Sequence, residues 1–140
     1  MESGAPFRHK WQFEPETGFV CTALNGRVDE EDAKEFIARY KRDDPPGEPC
    51  IMLADHRSAV QMTPGARRVF VSGWKPGDVY LAGFGMSFTF RAIANLLFKA
   101  MAIAMPQFVA TIVADEATAR TWLTEKKRNY VPRRASGESE

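Results

Sequence analysis

The sequence predicts an α/β domain built on a mixed five-stranded sheet, and three observations carry that expectation. Apolar runs of strand length at 19–24, 50–54, 79–84 and 108–114 are separated, from residue 29 onward, by segments of helical periodicity. Ahead of them, two strand-like runs are joined by Glu14-Pro15-Glu16-Thr17-Gly18, a turn sequence with no room for a helix. Helix starts and stops are written at Asp29, Thr63-Pro64, Pro106 and Asp115. Strands separated by helices pair in parallel through right-handed crossovers, whereas strands joined by a tight turn pair antiparallel. The expectation is an N-terminal antiparallel hairpin followed by alternating helices and parallel strands.

Taken in order, His9–Phe13 alternates with Trp11 and Phe13 on one face, and Phe19–Leu24 is its hairpin partner, ended by Asn25-Gly26. Asp29 caps a helix with an acidic first turn, whose Ala33, Phe36, Ile37 and Tyr40 recur on one face. Asp43–Pro49 is a loop too rich in proline for any helix to cross. Cys50–Ala54 is a short apolar strand expected to stop at Asp55, with a loop through Ser58 leading to a second helix. Thr63 caps that helix, Pro64 suits its first position, and Ala66, Val69, Phe70 and Trp74 face the core. Lys75–Asp78 is a turn, Val79–Phe84 a strand, Ser87–Met105 a strongly apolar helix ended by Pro106, and Phe108–Ala114 a buried strand. Asp115 caps a last helix with Ala119, Trp122 and Leu123 facing in and Lys126, Lys127 and Arg128 at its C-terminal end. Residues 1–8 read as a flexible N-terminus, 9–128 as one domain, and 129–140 as a polar tail, disordered from Arg133 onward.

Nineteen Lys and Arg against eighteen Asp and Glu leave a formal net charge of +1, so no overall field favours nucleic acid. Cys21 and Cys50 sit singly in apolar runs and form neither a disulfide framework nor a zinc pattern; no metal and no cofactor is expected. The segment MESGAPFRHK lacks the apolar centre of a secretory signal, which points to a cytoplasmic protein.

The candidate site is the junction between the third strand and the second helix, where an acidic residue and a hydroxyl meet a helix N-terminus. Phosphate on Thr63 would add about −1.5 to −2 charge beside free amides, with Arg67 and Arg68 one turn on. The plainer reading of Thr63 is an N-cap contributing about 1 kcal/mol. Ser58 is the second candidate hydroxyl. Three segments, LADHRSAVQMTPGARRVF, FRAIANLLFKA and VADEATARTWL, resemble a STAS domain, the fold of the anti-sigma-factor antagonists, and small bacterial STAS-like proteins of unknown function. The resemblance covers roughly residues 9–127. It implies a signalling module that binds a protein partner, such as a kinase or an anti-sigma-like regulator, with Asp55 as the strand-ending acid, Thr63 as the phosphorylated hydroxyl and Gly65 as the glycine of the helix start. His56, Arg57, Arg67 and Arg68, read from the residues themselves, complete the expected partner-binding surface with Asp55 and Gly65. Met62 stands where that family has an acidic residue, and Pro64 intervenes before Gly65.

No enzyme is expected. Asp55, His56 and Ser58 are neighbours along one strand end and point in different directions, and no Gly-x-Ser-x-Gly elbow is present. Gly83-Phe84-Gly85 lacks the third glycine of a dinucleotide loop, at Phe88. The third helix is the oddity. Ile93, Leu96, Leu97, Ala100 and Ala104 would make its buried face, and Phe90, Ala94, Phe98, Met101 and Met105 widen the apolar arc well past it. Phe90, Phe98, Met101 and Met105 are therefore an expected apolar interface for a second copy, a protein partner or lipid. A membrane span is not expected, because Arg91, Asn95 and Lys99 interrupt the segment. The alternative to a protein-interaction module is a small-ligand or lipid-binding domain that uses this apolar region, in the layout of CRAL-TRIO lipid-transfer proteins.

Overall fold

The computed structural model describes residues 9–43, 49–73 and 78–131. Its elements are β1 (Lys10–Glu14), β2 (Phe19–Val28), α1 (Glu30–Asp43), β3 (Cys50–Met62), α2 (Pro64–Ser72), β4 (Val79–Phe84), α3 (Phe88–Ala104), β5 (Phe108–Val113) and α4 (Glu116–Arg128). The five strands form one sheet in chain order, with β1–β2 antiparallel and every later pair parallel. This is the mixed α/β sheet that the sequence predicts.

Order and helix placement follow from one rule. Each crossover moves one strand further in the same direction, and right-handed crossovers that all step one way leave their helices on one face. Accordingly α1, α2 and α3 share the larger core, built on Leu24, Val28, Met52, Ala54, Met62 and Leu81, while α4 packs alone on the opposite face over Phe19, Ile51, Leu53, Ala82 and Phe84. Ala119 and Leu123 carry the α4 contact, with Trp122 packed at its margin.

The expected caps form. Asp29 and Asp32 exchange bonds, each backbone N–H donating to the other's carboxylate at 3.0 Å, a reciprocal box that starts α1. Thr63 accepts from Ala66 N at 3.1 Å, Ser87 from Phe90 N at 3.1 Å and Asp115 from Thr118 N at 2.8 Å. The 44–48 part of the proline-rich loop, Trp74, most of the 75–78 turn, residues 1–8 and the tail from 132 lie outside the described residues.

Two expectations are corrected. β3 does not stop at Asp55, and no loop runs through Ser58; the strand continues to Met62 against β2, which itself runs on through Asn25-Gly26 to Val28. β3 carries one extra residue between the pairs Ala23–Asp55 and Asn25–Ser58, and another between Gly26–Ala59 and Arg27–Gln61. Each bulge shifts the inward positions by one. The inward series therefore runs Met52, Ala54, His56 and then Ala59, Met62, and the simple alternation that marks a strand is lost.

The second correction concerns α3. Phe90, Ala94, Leu97, Met101 and Met105 are buried, and Phe98 packs half-buried against the same core, so the expected interface residues are core residues. Leu96, Ala100 and Ala104 face outward instead. Volume explains the choice. The space over the sheet is filled by Phe90 and the methionines, which the alanine-rich face cannot do.

Candidate functional site

Strand geometry divides the sequence cluster Asp55–Arg68. Successive residues of β3 point to opposite faces of the sheet. Asp55 and Arg57 lie on the α4 face, where Arg57 donates from Nε at 3.0 Å and from Nη2 at 2.7 Å to the Asp55 carboxylate and lies over the Phe84 ring. Hydrogen bonds from the Arg57 guanidinium, the first cause, hold the Asp55 carboxyl below its usual range. His56 points the other way and is buried against Phe90, ring centroids 5.5 Å apart. Asp55, His56 and the exposed Ser58 thus form no catalytic triad. The partner-binding set does not converge either, because Arg67 and Arg68 belong to α2 on the far side of the sheet from Asp55 and Arg57.

Asp55 and Arg57 instead line a charged cleft of about 370 Å³ between the β1–β2 end of the sheet and α4, together with Lys10, Glu14, Glu116 and Arg120. Every acid named there is engaged by an arginine: Asp55 by Arg57, and Glu14 and Glu116 by Arg120. Gly85 closes the rim next to Arg57 at φ +78, and a Cβ there would collide with the Arg57 side chain. Gly83 sits within β4 facing Met86 and His56. The Gly-Phe-Gly segment is a packed strand end, not a phosphate cradle.

At the start of α2 the sequence reading and the geometry meet. Thr63 is half-buried, extended at φ −72, and caps the helix; Arg67 Nη1 donates to the Met62 carbonyl at 2.8 Å, which places a guanidinium beside the cap. Gly65 has a packing reason of its own. A Cβ there would stand 2.8 Å from Glu30 Oε1, so the glycine admits an α1 carboxylate next to the first turn of α2. Glu30 is in turn 3.4 Å from Lys34 Nζ.

Beside this start, α2 and α3 enclose an open groove of about 610 Å³ lined by Pro64, Arg67, Arg68, Val71, Leu96 and Ala100. It runs into the outward stripe of α3, where Phe88 is 90%, Leu96 71% and Ile103 83% exposed. At 3.6 residues per turn these three fall within about 80° of arc. Every charged residue on α2 and α3 is a cation: Arg67, Arg68, Arg91 and Lys99. The basic pair and the excess apolar arc are legible in the sequence, whereas the exposed side of α3 is a different one from the side expected. The spacing 88, 96, 103 was the available signal.

Among the described residues, no helix is long and apolar enough to cross a membrane. Compared with protein-family models, curated proteins and solved structures, the chain matches none of them.

Proposed function

We propose that the chain is a non-catalytic regulatory module of the STAS type that docks an acidic amphipathic segment of a partner protein in the groove between α2 and α3. One observation carries the reading: an apolar groove and stripe, open to solvent, on two helices whose only charges are positive. Exposed apolar surface of this kind favours a partner, and charge complementarity selects one with acidic flanks. A helix laying leucine or phenylalanine at i, i+3/i+4 and i+7 against Val71, Leu96 and Ala100, with Asp or Glu toward Arg67 and Arg68, meets both demands.

Thr63 is the proposed switch. Pro64 and Arg67 next to it line the groove, so a phosphate on its hydroxyl neutralises the positive rim and repels an acidic segment, with Glu30 adding to that repulsion. The same charge logic makes Ser58, which does not line the groove, the lesser candidate.

Selection from a random helical-peptide display library tests the proposal. Wild-type protein is expected to enrich acidic amphipathic sequences, whose affinity falls at least tenfold for Leu96→Asp, Arg68→Glu and Thr63→Glu. Enrichment of no sequence, or of basic ones, overturns it. So does salt-sensitive binding to vesicles of phosphatidylserine and phosphatidylcholine that Phe88→Ser abolishes, since the face then serves a membrane.

A further inference from the structure

The larger core contains a partly open cavity of about 60 Å³ that lies beneath α3 and meets the groove only at Leu97. Phe36, Phe70 and Phe90, with Met52, Met62 and Met101, are among the residues of its wall. Thr22, His56 and the Trp11 indole are the polar groups of that lining. His56 is 7% exposed and makes no side-chain hydrogen bond among the described residues; its buried Nδ1 lies toward Gly83 and Met86, outside the lining, so the cavity meets the rest of the ring. A buried polar atom without a partner is costly, and native proteins keep few of them without a use.

We infer that this cavity is a binding site for a small, mainly apolar molecule carrying one hydroxyl group, which His56 recognises. Size limits the ligand. One water needs roughly 10–15 Å³ by this measure, so the space takes about four to six heavy atoms. Polarity limits it further, since neutral imidazole offers one donor and one acceptor, and a hydroxyl answers either. Charged ligands are excluded by the hydrocarbon wall. The thioether side chains of Met52, Met62 and Met101 are flexible enough to adjust around a branched aliphatic group. Trp11 and Phe98, only half-buried, bring the lining toward the surface and mark the route of entry.

The site shares only Leu97 with the proposed docking groove and otherwise lies on another face of α3, and it stands whether or not a protein partner is found. Its test uses isobutanol and its near-isostere isobutyl chloride, titrated into protein labelled with ¹³C at the methionine methyls and ¹⁵N at histidine. Isobutanol is expected to shift the Met52, Met62 and Met101 methyls saturably, to move the His56 ring nitrogens, and to bind about tenfold tighter than the chloride, the value of one hydrogen bond. In His56→Leu the two compounds should bind alike. Equal affinity for both compounds in the wild type, an unmoved His56 ring, or no saturable shift overturns the inference. The wild-type comparison decides the matter if the variant does not fold.

Discussion

His56 is held uncharged by its surroundings: burial pushes its pKa down to about 4, with the charge of Asp55 across the strand opposing. The consequence for stability has a definite sign. Between the ordinary imidazole value near 6.5 and the folded value near 4, the unfolded chain binds the proton that the folded chain refuses, so stability is full above pH 6.5 and falls as pH drops toward 4. At 1.36 kcal/mol per unit the loss sums to about 3 kcal/mol. Urea denaturation of wild type and His56→Leu at pH 7 and pH 4.5 is expected to show the wild type losing a few kcal/mol more than the variant. Parallel losses would mean that His56 is not buried neutral. Carboxylates such as Asp55, whose folded pKa is lowered, also lose their contribution in acid, but they do so in both proteins and cancel in the difference. Residue chemistry of this kind was only half legible in the sequence. Thr63 was readable because a cap is a local property, while the reason for Gly65 lies in Glu30 on another helix.

At the scale of the element, α3 makes the sharpest contrast. Its two apolar faces share Leu97, and hydrophobicity alone does not choose between them; the choice is made by what the sheet beneath requires. Met101→Ala is therefore expected to cost about 2–5 kcal/mol, as core truncations do. Leu96→Gln should stay within about 0.5 kcal/mol, as exposed substitutions do. Thermal or urea unfolding of the two variants distinguishes the faces, and a larger loss for Leu96→Gln would return the stripe to the core. β3 shows the other limit of sequence reading. Its first half was legible because Cys50–Ala54 is a continuous apolar run of a strand buried on both faces. Its second half was not, because two bulges stretch the inward spacing from two residues to three and set Arg57, Ser58, Val60 and Gln61 outward, a pattern that resembles a loop. The helices α1, α2 and α4 were legible from cap to core face, since their signals repeat within a few residues of one another.

Across the whole molecule, one asymmetry follows from the topology. Three crossover helices cover one face of the sheet, and α4 alone must serve the other, where it reaches β3, β4 and β5 and leaves the β1–β2 end to side-chain links. Those links run from the N-terminal hairpin to the C-terminal helix. Arg120 donates from Nη1 at 2.9 Å and from Nη2 at 3.0 Å to the two oxygens of Glu14, and from Nε at 2.8 Å to Glu116. Lys127 Nζ donates to the Thr17 carbonyl in the hairpin turn. The Arg120 hydrogen bonds, the first cause, hold the Glu14 carboxyl down to about 2. The link therefore contributes in full above the ordinary carboxylate value near 4.5 and is lost progressively as pH falls from there through about 2. β1 needs it, because a five-residue edge strand paired with one neighbour is marginal without further packing. On the other face it has a second tether, where the His9 imidazole accepts from Asn25 N at 3.0 Å and approaches Asp32 at 3.2 Å, and where Trp11 packs on Phe36. Arg120→Met keeps an apolar stem but removes the fork, and with it the guanidinium that lies over the Phe19 ring, at a global cost of roughly 1 kcal/mol for a partly exposed pair. The larger effect should be local. Hydrogen exchange at the amides of β1 and of the 14–18 turn is expected to quicken at least tenfold, with β3, β4 and β5 unchanged. Uniform acceleration through the sheet would show that the hairpin and the parallel strands open as one unit, and unchanged exchange in β1 would show that the His9 and Trp11 contacts suffice to hold it.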